Sequence, residues 1–267
     1  MARSAPFDLA DVLLKRHKCL CALGNQPHAK PELVEALDIP RSTLDDIVRD
    51  LEHANLVEYH DGEWQLTLFG QYTLDHHARY KEGLATLADA IPVINELPQD
   101  TPVERRFLID ADVHVGTAPV PDEIMHVFLD AVESATHVRS VTPLAMAGYA
   151  DSFYRAATTG SDVHLEAVLP LETFERLQTL HPDSTDKAMA DDDITLYHAD
   201  IPVTFSLWIA DDDHAGLIVY ADQGVQGILI NDTDDALDWA TDQYDRIQED
   251  AEPIFYRGSV RHTAGFS

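Results

Sequence analysis

"PRSTLDDIVRDLEHANLVEYHDGEWQLTLFG", from Pro40 to Gly70, changes its hydrophobic period twice. Leu44, Ile47, Val48 and Leu51 recur at i, i+3, i+4 and i+7, which is one apolar face of a helix. Ser42 reads as the N-cap, with Asp45 three residues on completing a shortened capping box. Asn55 sits where a left-handed residue commonly stops a helix. Val57 and Tyr59, then Trp64 and Leu66, alternate with polar residues on either side of Asp61-Gly62, a strong hairpin signal. Thr67 is placed to cap a long helix through "LFGQYTLDHHARYKEGLATLADAI".

Upstream, Leu13, Leu20 and Leu23 recur at helical spacing, with Arg16 interrupting, until "GNQP" ends the run. "KPELVEALD" reads as a short helix with Leu33, Ala36 and Leu37 inward. Helix, helix, turn, helix, two-stranded wing and helix is the order of a winged helix-turn-helix. "KPELVEALDIPRSTLDDIVRDLEHANLVEYHDGEWQLTLFG" resembles the DNA-binding domain of archaeal and bacterial winged-helix regulators. In that geometry the third helix enters the major groove. The resemblance implies Arg41, Ser42, Thr43 and Arg49 at bases and phosphates, Lys30 at a phosphate, and His60 at the wing tip. Asp45 and Asp46 repel phosphates, although they can accept from cytosine amino groups. The competing use of such a unit is as a protein–protein interaction module.

The rest of the chain makes a polyanion an unexpected partner. Its 267 residues carry 18 Lys+Arg against 48 Asp+Glu, a net charge of -30. Residues 1–97 account for only -7 of this and the remainder for -23, so the segment holding the quoted stretch is closer to neutral. The carboxylates lie in short bursts within patterned segments, unlike an acidic disordered tail. The low lysine count and acidic surface resemble proteins of salt-in halophiles, whose carboxylates hold hydrated cations. No apolar run reaches membrane-spanning length, and "MARSAPFDLADVL" lacks secretory-signal features. A cytoplasmic protein with no membrane partner is expected.

The length suggests two domains. "NELPQDTPVE" reads as the linker, giving residues 1–97 as the DNA-binding domain with its long helix and 98–267 as an α/β sheet domain. The expected fold class is therefore mixed α+β and α/β. In the second part "HVRSVTPLA", "DVHLEAVLP", "ITLYHA", "VTFSLWIA", "HAGLIVYA" and "VQGILIN" read as strands. "YADSFYRAATTG", ended by Gly160, "LETFERLQTL" and "DTDDALDWATDQYDRIQED" read as helices. "IPVTFSLWIADDDHAGLIVYADQGVQGILINDTDDALDWATDQYDRI" and "VRSVTPLAMAGYADSFYRAATTGSDVHLEAVLP" resemble the C-terminal domain of FilR-type archaeal regulators, a match over roughly residues 104 to 252. That resemblance implies a transcription regulator with an effector or assembly domain.

A single reader of this type covers few base pairs, so a homodimer on double-stranded DNA is expected. Leu74, Leu84, Leu87, Ala88 and Ile91 are available for the contact. A small-molecule effector is expected near the carboxyl ends of the strands. "TPLAMAGY" supplies Thr142, Pro143 and Tyr149 as its binding residues.

Catalytic signatures are weak. Archaeal sensors of the TrmB type carry a phospholipase-D-like domain, which makes such an enzyme the alternative. The nearest match to its H-x-K-x-x-x-x-D signature is "HAKPELVE", with His28, Lys30 and Glu35, outside the α/β part. His76 and His77 diverge by about 100° on a helix, and no Cys/His spacing suits zinc. Cys19 and Cys21 read as one core thiol and one partly exposed thiol. "ADDDHAG" and "NDTDDAL" read as solvated acidic surface, and "GVQGIL" as a hairpin turn. No cofactor, metal site or catalytic residue is expected, and the protein is not expected to be an enzyme.

Overall fold

The computed structural model describes residues 6–116, 123–133, 135–156, 163–222 and 224–255. Two compact units divide at Leu84/Ala85. The first contains α1 (Pro6–Asn25), α2 (Lys30–Leu37), α3 (Arg41–His53), β1 (Val57–His60), β2 (Glu63–Leu66) and most of α4 (Leu68–Asp89). This is the order anticipated from the periodicities. Leu20, Leu33, Leu44, Leu51 and Leu56 are fully buried in its core.

Local chemistry sets the corners. Asp61 at φ 48° and Gly62 at φ 95° turn the β1–β2 hairpin, and Asn55 at φ 59° stops α3. Thr67 joins the hairpin to α4: its Oγ1 accepts from Gly70 N–H at 2.9 Å and donates to the Asn55 carbonyl at 2.7 Å. Its own N–H donates to the Leu56 carbonyl at 3.0 Å. A Cβ on Gly70 would stand 1.9 Å from that Leu56 oxygen, so close backbone approach requires glycine there.

Ser42 is not the N-cap of α3. The helix begins at Arg41, and the Pro40 carbonyl accepts from the N–H groups of Thr43 and Leu44. Proline has no N–H to satisfy, which suits it to a helix start. The Asp45 carboxylate, outside any capping box, lies 2.5 Å from Lys30 Nζ instead.

In the second unit, α5 (Ile91–Ile94), α6 (Arg105–Leu108), β3 (Asp112–Val115) and α7 (Ile124–Glu133) precede β4 (His137–Val141). A 3₁₀ turn (Ala147–Tyr149) and α8 (Ala150–Ala156) follow, then β5 (His164–Leu169), α9 (Leu171–Leu180) and α10 (Pro182–Ala190). The chain continues through β6 (Ile194–His198), β7 (Phe205–Ala210), β8 (His214–Ala221), β9 (Gly224–Asn231), α11 (Asp234–Gln248) and β10 (Glu252–Pro253). One eight-stranded sheet results, ordered β10-β6-β5-β4-β7-β8-β9-β3. β4, β5 and β6 run parallel, and the other pairings are antiparallel.

Both sheet faces are covered. Leu207, Leu217 and Leu229 belong to one core with Trp239, Ala240 and Tyr244 of α11. Leu165, Trp208 and Ile228 belong to the other with Ile124, Phe128 and Val132 of α7. Strands buried on both sides read as unbroken apolar runs, which is why β7 and β8 carried no alternation.

Several elements depart from expectation. Ala90 and Val93 are buried in the second unit's core, so the division falls earlier than the "NELPQDTPVE" linker placed it. "GVQGIL" is not a turn but lies within β9, paired to β8. Gly160 lies outside the described residues. Thr233, through Ala236 N–H at 3.4 Å, caps α11. Among the described residues, no helix is long and apolar enough to cross a membrane.

"ADDDHAG" is more than solvated surface. Asp211 and Asp212 have φ of 52° and 54° and turn β7 into β8. The Asp211 carboxylate accepts from Thr136 N–H at 2.8 Å, Thr136 Oγ1 at 2.8 Å and His137 N–H at 2.7 Å, tying the turn to the start of β4. Desolvation pushes this carboxyl up, but the Thr136 and His137 hydrogen bonds outweigh it and hold the group below the usual range.

A carboxyl depressed on folding contributes stability above its unfolded pKa and loses that contribution as pH falls through its folded value. Asp211→Asn keeps the left-handed turn and one acceptor, and because solvent screens the exposed carboxylate it is expected to cost about 0.5–1 kcal/mol, roughly 1–4 °C in Tm. Calorimetry should show the full gap from wild type at pH 6. The gap should shrink as pH falls below about 4. Asp222→Asn, at the exposed next turn, should leave Tm unchanged.

Candidate functional site

Two places gather the expected site residues, one in each unit. On α3, Leu44, Val48 and Leu51 are buried, while Arg41, Ser42, Thr43, Asp46 and Arg49 are exposed. A face of cations and hydroxyls is therefore presented to solvent by the packing of the opposite face. Two of its cations are already engaged: Lys30 pairs with Asp45 at 2.5 Å, and Arg49 pairs with Asp46 one turn back. At the hairpin tip His60 Nε2 lies 3.1 Å from Asp61. Arg41 makes no ion pair among the described residues. The Lys30 hydrogen bond, with Arg41 and Arg49 nearby, holds the Asp45 carboxyl below its ordinary range. Behind this face Arg16 of α1 holds Asp50 at 2.7 Å, so Asp50 serves as a strut.

The motif "HAKPELVE" spans the start of α2. His28 bridges to Trp64 through its backbone and Lys30 is bound to Asp45. Cys19 is buried, which pushes its thiol up to about 11, and Cys21 is exposed 3.5 Å from His17 Nε2. Among the described residues, no group of three or more His, Cys, Asp or Glu side chains is placed to hold a metal ion.

The second place is a cavity of about 180 Å³ in the sheet unit. Thr142, Met146 and Tyr149 of the loop after β4 line it, as expected of "TPLAMAGY". Pro143 does not line it: its carbonyl accepts from Thr173 Oγ1 at 3.4 Å, which fixes the loop against α9. The cavity is not confined to the carboxyl ends of the strands. It reaches across one sheet face, with Leu165 of β5, Trp208 of β7 and Ile218 of β8 on one side. Phe128 of α7, Phe153 of α8 and Ala188 of α10 line it as well. Phe128 stacks on Phe153 with centroids 5.3 Å apart and meets the Trp208 ring edge-on at 5.0 Å.

Two polar groups of this wall, Ser206 and Tyr220, form a short chain. Tyr220 O–H donates to the Leu144 carbonyl at 3.1 Å, so the 2.6 Å bond between Ser206 and Tyr220 uses the serine proton. Burial pushes the Tyr220 phenol up to about 12 against the lowering influence of Ser206, which leaves it neutral near pH 7. None of the described lining residues is Asp, Glu, Lys, Arg or His. Ser206, Trp208 and Tyr220 escaped the sequence because β7 and β8 looked like uniform apolar strands. A serine within "VTFSLWIA" was the available signal.

Residues 121–250 match the family model of the methanogenesis regulatory protein FilR1, middle domain, and residues 8–108 match that of the HVO_A0261 N-terminal domain. No curated protein matches the chain significantly. Among solved structures, a phospholipase D family member, Nuc from Salmonella typhimurium, aligns at 14% identity over 55% of this chain and 100% of that one, with a TM-score of 0.40. An IclR homolog from Microbacterium sp. strain HM58-2 aligns at 12% identity over 90% and 97%, TM-score 0.24. A riboflavin-analogue dimethyltransferase from Streptomyces davawensis aligns at 15% identity over 73% of this chain, TM-score 0.23; the chain spans 62% of that protein's length. At these scores the structural likenesses carry no functional argument. The regulator-family match over residues 121–250 supports the reading of this chain as a transcription regulator.

Proposed function

We propose that the protein is a sequence-specific DNA-binding transcription regulator, cytoplasmic and homodimeric, whose sheet unit senses a small molecule. On this reading it acts by binding and not by catalysis. The observation that carries the proposal is the exposed face of α3, with Arg41, Ser42, Thr43, Asp46 and Arg49 opposite buried Leu44, Val48 and Leu51. A helix seated this way in a winged helix-turn-helix offers its first turn to the major groove.

The ion pairs on that face do not forbid the contact. Exposed pairs of this kind contribute roughly 0.2–1 kcal/mol each, so a phosphate can displace the carboxylate from Lys30 or Arg49 at small cost. Each displaced carboxylate then takes up a cation from solution. Concentrated potassium salt suits such a surface, since it supplies the cation and screens the remaining acid.

The partner in the dimer is a second copy seated on α4. Phe69, Tyr72, Tyr80 and Leu84 are 49%, 68%, 58% and 47% exposed and, with His76, step along one side of the helix at three- and four-residue intervals. A helix partner wants that spacing. Of the residues expected at this contact, Leu74 packs into the first unit's core instead, and Leu87 is half-buried. Leu84, Ala88 and Ile91 are exposed. Two readers on a two-fold axis double the base pairs covered.

A duplex selected by the full chain from a random pool in molar KCl supplies the test. Arg49→Ala and Thr43→Ala should each weaken binding to it, by about 1–3 kcal/mol for the arginine, with the melting temperature unchanged. Unchanged affinity in both removes the assignment of α3. Leu84→Glu places a charge in the apolar stripe without touching the core. Sedimentation equilibrium should show wild type as a dimer and the variant shifted towards monomer. A monomeric wild type, or an undisturbed variant dimer, refutes the α4 interface.

A further inference from the structure

The cavity's chemistry narrows what it can hold. In a chain of net charge -30, its described lining contains no carboxylate, ammonium, guanidinium or imidazole. An ionised ligand would shed its hydration there with no counter-charge, at a cost of several kcal/mol. A shallower depression of about 460 Å³ shares Leu144, Ala145 and Leu177 with the cavity and is rimmed by Glu172, Glu175 and Arg176. That rim carries a net negative charge and adds nothing for an anion. Size gives the next limit. An apolar cavity of roughly 150 Å³ accepts benzene, so about 180 Å³ suits one ring or two fused rings. Phe128, Phe153 and Trp208 line it with aromatic surface, against which another ring can stack or meet edge-on.

The hydroxyl chain supplies direction. Tyr220 spends its proton on Leu144 and Ser206 spends its proton on Tyr220. Ser206 Oγ, on a residue 3% exposed, therefore keeps acceptor capacity and has no proton left to give. A ligand hydroxyl would find its acceptor there. We propose that the cavity binds a neutral, one- or two-ring aromatic molecule bearing a hydroxyl group, a phenol-type ligand that donates to Ser206 Oγ. This rests on the reading of the sheet unit as a ligand sensor and names the class of ligand.

The test uses the full chain in molar KCl near pH 7, titrated calorimetrically with 2-naphthol, naphthalene and 2-naphthoate. 2-Naphthol should bind about tenfold tighter than naphthalene through its hydrogen bond, and 2-naphthoate at least about a hundredfold weaker than 2-naphthol. Ser206→Ala should bring 2-naphthol down to the naphthalene level while leaving naphthalene unchanged. Ser206→Cys keeps the side chain and offers a poorer acceptor, and should give the same loss if the alanine variant folds poorly. Carboxylate binding as tight as the phenol, or a phenol preference that survives both variants, overturns the ligand class and leaves the cavity as a binding site. No heat with any of the probes overturns the class and the sensing role together.

Discussion

A surplus of carboxylates is the constraint under which every contact of this protein is made. With 48 Asp and Glu against 18 Lys and Arg, an arginine or lysine is seldom far from an acid. Arg16 holds Asp50, Lys30 holds Asp45, Arg49 holds Asp46, and Arg106 reaches both Glu104 and Asp242. Arg139 holds Asp212 and lies over the Tyr244 ring at 5.6 Å. The acid is also part of the backbone design. Among the described residues, the non-glycine residues at positive φ are Asp38, Asn55, Asp61, Asp110, Asp211 and Asp212. Short acidic side chains tolerate the left-handed region, so part of the negative charge is the consequence of building turns from aspartate. On the proposed reading the consequence is direct: at Lys30 and Arg49 phosphate exchanges with carboxylates already in place, and only Arg41 meets it without an ion-pair partner among the described residues.

The interior of the sheet unit answers the same constraint in the opposite way. Its acids lie chiefly at turns, rims and helix surfaces, with Glu166 of β5 accepting from Tyr244 O–H at 3.0 Å, while the described cavity wall carries no charged side chain. Ser206 and Tyr220 satisfy one another and the Leu144 carbonyl without a charge. The long-range field of the surface and the local chemistry of the cavity are thus separate, and each can be altered without the other. Gly216 shows how tightly the wall is built, since a Cβ there would stand 2.0 Å from the Trp208 ring.

Much of the first unit was legible because each signal is local. The Leu44–Leu51 face, the Asp61-Gly62 turn and Thr67 act over three to seven residues, and each did what its residue type dictates. The start of α3 was misread because Pro40 and Ser42 both suit a helix start, and only the Lys30–Asp45 pair across two helices decides how Asp45 is used. In the second unit the α9 boundaries were legible, and so was the cavity loop. The short α5, α6 and β3 segments were not, since their apolar residues are too few to set a period. α10 was also missed: "PDSTDKAMA" is polar and shows no clear face until it packs against α8, α9 and β6. Strands covered on both sides hide which residues face the cavity, and that is why Trp208 and Tyr220 could not be singled out.

The central claim is that an acidic chain reads DNA by trading its own carboxylates for phosphates. Affinity for a selected duplex, measured on the full chain across KCl from about 0.1 M to several molar, tests it most directly. An ordinary complex loses affinity with a slope of about -0.9 in log K against log[salt] for each phosphate neutralised, because counterions are released. Here cation uptake by Asp45 and Asp46 offsets that release, so binding should persist into molar salt on a much shallower slope. A conventional steep loss, or a chain that selects no duplex at any salt, would contradict the account.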